Sequence, residues 1–401
     1  MMCANPIVLL EHLNINIPDK TQGKTFYLDA LGCAEDPRAE SIMKRTQDAG
    51  GTMLDMIWAN QGLQQIHLPI GEPEDPIQIV RGVVGLSFPN LKALECRLSG
   101  VEKSLSGTEF DWNLERCGLT GENVLAITCP FGNRFNAHAA STSTLFGPLK
   151  DIEPGGAHGL PGERSLGLGI RYVQFSCPRG TAYLICAFYR KYFAARTEEA
   201  SDEGSHRIGK VFIGYHQALL FRETDDPLPK YDGHHIALYI SNFNDSYTRV
   251  QKDGLNWNNP RFPHLTYETL ELAVKHCEFR VLSITHPEKP SEILFTLEHE
   301  IRQLAQLGCA IACTRGTGVQ IACTACNQSN RGAMVGNRRQ RQAIGLHQRA
   351  AGRATGRQLA APVVAICAPE DLCNKVCNQR HRARSGSNRQ RVEATGVQPA
   401  R

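Results

Sequence analysis

The chain has 401 residues, 41% of them hydrophobic and 21% charged, a balance expected of a water-soluble globular protein long enough for two ordinary domains. No apolar run approaches the ~20 residues that cross a bilayer. Residues 1–10 lack the basic n-region of a secretory signal, so a cytoplasmic protein with no membrane partner is expected. The net charge of +4 conceals an asymmetry. Residues 307–401 hold 15 Lys and Arg against Glu370, Asp371 and Glu393, a balance of +12 that leaves about −8 for residues 1–306. All 28 aromatic residues lie before position 307. A basic tail without aromatics buries too little apolar surface to offset chain entropy, so 307–401 is expected to be disordered.

The elements come in four cycles. Residues 7–18 alternate apolar and polar side chains and predict a strand; residues 23–32 carry Phe26, Tyr27, Ala30 and Leu31 at helical spacing, with Gly32 closing the helix. Strands follow over 52–60 and 63–69. The second cycle runs through a strand over 79–89, a helix over 91–98, and strands over 124–128 and 134–138. A Gly- and Pro-rich stretch then separates a first half, 8–140, from a second half, 166–306, with 141–165 as linker. The third cycle has a strand over 170–178, a helix over 181–195, and strands over 210–213 and 218–223. The fourth has a strand over 235–241, a helix over 247–254, and strands over 279–285 and 292–299. The fold class is α/β (α+β), made of tandem βαβββ modules that form curved mixed sheets.

Specific runs carry a family resemblance. Phe26-Tyr27-Leu28-Asp29-Ala30-Leu31-Gly32 fits an F-Y-x-x-x-L-G helix, and Phe188–Ala194 is a looser copy. Pro130 with Gly132-Asn133 is similar to a D-P-x-G-N turn in which Cys129 replaces the Asp. Tyr231–Ile236 ends in the G-H-I start of a module. Together these resemble the vicinal oxygen chelate superfamily of glyoxalases, bleomycin-resistance proteins and extradiol dioxygenases, over most of 8–300.

The resemblance implies a divalent metal (Fe, Zn, Mn or Ni) in a cup, held by a His on a first strand and a Glu or His on a last strand of each paired module. Taking the two halves as the pairs, module one offers His12 and His67, and module two offers Val83 and Asn136 at the matching places. Module four offers His235 and Glu298; module three offers Arg171 or Tyr172 where a His is expected. On this pairing neither cup has a full set. Strand alternation puts Glu298 and Glu300 on one face beside His235, and this pair is the candidate for acid–base chemistry. The same residues also read as an exposed ion pair with Arg302, and His12 and His67 as ordinary polar residues of a half-buried sheet. Gln217, Arg222, Tyr239 and Arg280, with Gln65 and Gln174, are placed as substrate-binding residues, because polar groups inside a concave sheet need hydrogen-bonding partners.

Other patterns fail. Gly167-Leu168-Gly169 lacks the third glycine of a dinucleotide loop, and His299-Glu300 lacks the second His of a zinc protease helix. The tail cysteines Cys323, Cys326, Cys373 and Cys377 are too widely separated for a zinc ribbon, and the arginines of 380–391 have no interleaved aromatics to stack on bases. Nucleic acid is therefore not the expected partner. The scattered cysteines fit a reducing compartment. Two readings remain: a metal-dependent lyase, isomerase or dioxygenase acting on a small oxygenated molecule, or a metal-free small-molecule binding protein of the bleomycin-resistance type. Four modules allow pairing within one chain, so either a monomer or a homodimer satisfies the fold.

Overall fold

The computed structural model describes residues 5–48, 55–71, 77–140, 165–201, 206–214, 216–263 and 265–304. These all fall in one compact unit, Met1–Ile321. The expected linker 141–165, apart from Ser165, and the whole expected tail 307–401 lie outside the described residues.

The first module comprises strand β1 (Ile7–Asn14), helix α1 (Lys20–Gly23) running on into a π-helical turn (Lys24–Ala30), β2 (Ala34–Glu35), α2 (Arg38–Asp48), β3 (Met56–Gln61) and β4 (Gln64–Pro69). The Asp19 carboxylate caps α1 by accepting from the backbone N–H of Gln22. Phe26, Tyr27 and Ala30 are buried, and Gly32, with φ +69°, lets the chain turn away. The second module is β5 (Gly82–Phe88), α3 (Leu91–Val101), β6 (Asp111–Arg116), β7 (Asn123–Thr128) and β8 (Arg134–Ala139). The third is β9 (Gly169–Pro178), α4 (Ala182–Phe193), β10 (Thr197–Ser201), β11 (Arg207–Ile213) and β12 (Gln217–Thr224). The fourth is β13 (His235–Ile240), α5 (Phe243–Lys252), α6 (Leu270–His276), β14 (Glu278–His286) and β15 (Lys289–Gln303). In this last module the missing strand is reduced to one bridge, Asn256 to Val281.

Within every module the first strand pairs parallel with the last: β1 with β4, β5 with β8, β9 with β12, β13 with β15. The modules then join through their first strands, and here the structure corrects the pairing expected from the two halves. The sheet orders are β14-β15-β13-β1-β4-β3-β2 and β10-β11-β12-β9-β5-β8-β7-β6. Module one therefore shares a sheet with module four, and module two with module three. Each first-strand pair is antiparallel and bulged, and β1 carries a second shift between Ile7 and Leu9. Leu10 faces Leu238 and His12 faces Ala237, leaving Glu11 extra; Leu86 faces Ile170 and Gly85 faces Tyr172, leaving Arg171 extra.

Five elements were absent from the sequence reading: β2, α2, β6, β10 and α6. The strands β6 and β10 are the outer edges of the eight-stranded sheet, and most of their residues are exposed. An edge strand wet on both faces has no reason to alternate, so it leaves no apolar period to detect. The buried core is continuous across the modules, with Phe26, Tyr27 and Phe135 packed at one end and Phe175, Tyr189, Phe221 and Phe295 at the other. Gln217 belongs to this framework: its side chain accepts from the Leu10 N–H and donates to the Ile170 carbonyl, tying β1 to β9. Cys33, Cys117, Cys129, Cys177 and Cys186 are buried thiols outside any disulfide, while Cys96 is disulfide-bonded.

Candidate metal centre

The pairing of modules one and four brings together residues that the halves kept apart. His12 stands on β1 and His235 on the neighbouring β13, and their Nε2 atoms lie 3.4 Å apart. Glu300 on β15 reaches the same point, with an oxygen 3.7 Å from His235 Nε2. One donor atom from each of His12, His235 and Glu300 lies within 4.8 Å of the others, and all three residues are buried. Two ligands each ~2.1 Å from one ion at a tetrahedral angle are separated by about 3.4 Å, so the imidazole spacing, which also suits a ring-to-ring hydrogen bond, leaves room for a shared cation.

His67 and Glu298 flank this point. The His67 ring stacks on His12 at 3.9 Å and on Trp58 at 4.4 Å, while its Nε2 meets Gln65 Oε1 at 3.0 Å. Gln65 donates in turn to Asp36, which holds Arg38 through paired hydrogen bonds. Glu298 accepts from Arg280 Nη1 at 2.5 Å and from Asn259 at 3.0 Å. The alternation expected for Glu298 and Glu300 holds, and the two carboxylates share Arg280, with Asn259 added on Glu298 and Arg302 on Glu300.

Two guanidiniums and four carboxyl groups make one ionic chain, buried at Arg280, Glu11, Glu298 and Glu300 and partly exposed at Glu278 and Arg302. Arg280 binds Glu278 at 2.9 Å, Glu298 at 2.5 Å and Glu300 at 2.7 Å. Arg302 joins Glu300 to Glu11, the latter at 2.6 Å. Glu11 is adjacent to His12 in sequence, and in a regular strand it would point the other way. The β1 bulge turns it inward, 3.3 Å from His12 Nδ1 without hydrogen-bond geometry. Burial alone favours neutral Glu300, but Arg280 and Arg302 outweigh it and hold the carboxyl well below its ordinary range. Burial, then the neighbouring His12, pushes His67 and His235 well below the usual imidazole value, so both are neutral donors. Glu298 and Glu278 are pushed upward, foremost by burial.

Four carboxyl groups, Glu11, Glu278, Glu298 and Glu300, gather around the two guanidiniums Arg280 and Arg302. The donor set of two imidazoles and a carboxylate suits a first-row metal that keeps open positions. The residues present therefore fit the metal that the resemblance implies.

Of the proposed substrate-binding residues, Arg280 lies in this cluster and Tyr239 beside Arg302, which helps set its hydroxyl environment. Arg222 stands instead on the other sheet, bonded to His206 at 3.1 Å, and Gln217 is the tie described above. Glu11, Glu278 and Asn259 were not singled out from the sequence. The bulge that recruits Glu11 has no signature in composition, and Asn259 sits in an aperiodic loop.

No family model matches the chain, and no curated protein matches it. Among solved structures it is similar to glyoxalase I from Zea mays, at 10% identity over 77% of this chain and 96% of that one, TM-score 0.45. It is similar to a proposed dioxygenase from Bacillus subtilis, at 12% identity over 75% and 86%, TM-score 0.44. It also matches a 4-hydroxymandelate synthase variant from Streptomyces coelicolor, at 12% identity over 77% and 99%, TM-score 0.25. The repeated strand–helix–strand modules joined in two mixed sheets are the α/β arrangement expected from the sequence.

Proposed function

We propose that this protein is a metal-dependent enzyme of the vicinal oxygen chelate kind, a lyase, isomerase or dioxygenase acting on a small oxygenated molecule. The carrying observation is the convergence of His12, His235 and Glu300 at the join of modules one and four. These three are the proposed ligands of Fe, Zn, Mn or Ni. Such an ion supplies Lewis acidity to oxygens of a bound substrate. His67, stacked on His12, fixes the orientation of that ring. Glu298, whose pKa is raised by burial, is placed to hold or pass a proton within the same cup. Arg280 keeps Glu298 and Glu300 apart and aimed, and Tyr239 lines the far side with Arg302.

The halves 8–140 and 166–306 are then units of duplication, each contributing strands to both sheets. The cup is complete within one chain, so a monomer suffices, and the proposed setting is the cytoplasm. The test is metal analysis of the purified protein. About one equivalent of a first-row metal is expected, lost in His235→Ala; no metal in the protein as purified and no uptake of Zn²⁺, Mn²⁺, Ni²⁺ or Fe²⁺ would reject it. A second reading, a metal-free binding protein, is favoured by one observation: Glu300 already accepts from both Arg280 and Arg302. That reading expects ligand binding which chelators leave unchanged.

A further inference from the structure

One carboxylate beside the proposed ligands owes its position to a break in strand register. In β1, Leu10 faces Leu238 and His12 faces the next residue of β13, Ala237, so Glu11 has no residue opposite it. A regular strand would alternate side chains and send Glu11 to the face opposite His12. The bulge instead leaves both on the cup side, and both are buried. In the other sheet the matching bulge falls at Arg171, beside Tyr172, so neither a carboxylate nor an imidazole takes that place there.

The His12 ring meets a different group on each side. Its Nε2 faces His235 Nε2 at 3.4 Å, and one ring face lies on His67 at 3.9 Å. The other nitrogen, Nδ1, is buried without a hydrogen bond among the described residues, and Glu11 Oε2 lies 3.3 Å from it. At that separation a small rotation of the ring aligns an N–H with the carboxylate. The same Glu11 oxygen accepts from Arg302 Nη1 at 2.6 Å, and Arg302 also donates to Glu300 Oε1.

A buried carboxylate is costly unless it is paired and hydrogen-bonded, so its presence here calls for a reason. Serving as counter-ion to Arg302 is not sufficient, because Glu300 already does so from a regular strand position. The orphaned Nδ1 of His12 supplies the reason. A histidine that binds a metal through one ring nitrogen donates from the other, and a carboxylate there fixes the tautomer, aims the lone pair and makes it more basic. A proton on Nδ1 leaves the lone pair on Nε2, the atom that faces His235.

We propose that Glu11 is a positioning residue of the metal centre, acting through His12. Its carboxylate accepts from Nδ1–H and aims Nε2 at the ion, while Arg302 holds the carboxylate in place and offsets part of its charge. The inference rests on the reading of His12, His235 and Glu300 as ligands.

The test is calorimetric titration with Zn²⁺ and Mn²⁺ of the chelator-treated full chain, beside Glu11→Gln and Arg302→Met. Both variants break the same ion pair, so a merely structural role for that pair predicts weaker metal binding in both. Action through His12 separates them. Glu11→Gln should weaken binding about 10- to 100-fold, the usual effect of losing a partner that orients a ligand. Arg302→Met leaves Glu11 and Glu300 with more of their charge and should bind at least as tightly as wild type. In Zn²⁺-loaded protein carrying ¹⁵N in its histidine rings, the Nδ1 proton of His12 should resonate further downfield in wild type than in Glu11→Gln, where an amide oxygen replaces the carboxylate. Circular dichroism checks that each variant is folded; if Arg302→Met is not, Glu11→Gln and the proton resonance decide the case. Weakening of less than about tenfold in Glu11→Gln, weaker binding in a folded Arg302→Met, or an unmoved Nδ1 proton would each overturn the inference and leave the metal centre standing. Metal uptake by neither wild type nor variants would overturn both.

Discussion

Replacing Glu300 by Gln separates the two roles of this residue, as metal ligand and as partner of two arginines. Gln is nearly isosteric but offers one acceptor oxygen where the carboxylate offers two, and its NH₂ points a donor at whichever guanidinium loses its partner. Arg280 Nη2 lies 2.7 Å from one Glu300 oxygen and Arg302 holds the other, so one buried contact is necessarily broken. Breaking a buried charge pair from one side costs about 3–5 kcal/mol. At roughly 2 °C per kcal/mol for a unit of this size, the metal-free Tm should fall by about 6–10 °C. The same variant should lose the stabilisation that metal confers. At a free metal concentration 100 times Kd that stabilisation is about 2.7 kcal/mol, or roughly 5 °C. His235→Ala isolates the second effect, because the neutral imidazole has no ionic role: its metal-free Tm should fall far less, yet it too should show no metal-induced rise. The assay is thermal unfolding by circular dichroism, with and without Zn²⁺, Mn²⁺ or Ni²⁺, on chelator-treated protein. If the metal-induced rise survives undiminished in both variants, the cation does not sit between His12, His235 and Glu300 and the reasoning fails.

Further outcomes follow from neighbouring contacts. Glu298→Gln should retain one equivalent of metal with less than about a tenfold change in affinity, since its carboxylate is engaged by Arg280 and Asn259; complete metal loss in a calorimetric titration would make Glu298 a ligand. His67→Leu should keep the metal but weaken it about tenfold by freeing the His12 ring, and should alter the emission of Trp58, which stacks on His67; metal affinity identical to wild type would remove the orienting role. His138 is buried between Glu122, Arg171 and Tyr172, and burial, with Arg171, lowers its pKa to about 4 against the pull of Glu122. Its folded value lies below the unfolded one near 6.5, so the unfolded chain binds the proton more readily and stability should fall by about 3 kcal/mol as pH drops from about 6.5 to 4. In His138→Gln that part of the acid sensitivity should vanish from urea titrations at pH 7 and pH 4.5, and an unchanged pH dependence would contradict it.

Much of the fold was legible because its central strands are buried on both faces and therefore apolar. The apolar-rich runs within 7–14, 82–88, 169–178 and 235–240 mark the first strand of each module, and the buried aromatic runs Phe26-Tyr27 and Phe188-Tyr189 mark two of the module helices. The edge strands β6 and β10 were invisible for the converse reason. His12, His235 and Glu300 were each identifiable as strand residues on a plausible inner face, and Val83 and Asn136 as the places where ligands are lost.

What the sequence could not express is which first strands become neighbours. Periodicity fixes the face a side chain takes within its own strand, a local property of the pleat. The partner across the sheet is chosen by contacts more than two hundred residues apart, as in the 223-residue separation of His12 and His235. Tertiary structure joins module one to module four, and that choice alone brings His12, His235 and Glu300 together. It also places the one-residue bulge that swings Glu11 inward beside Arg302, a displacement set by the mismatch of two strands rather than by any residue's own preference. The repeated modules and the inventory of donors are thus written in the chain. The meeting of His12, His235 and Glu300 exists only in the assembled fold.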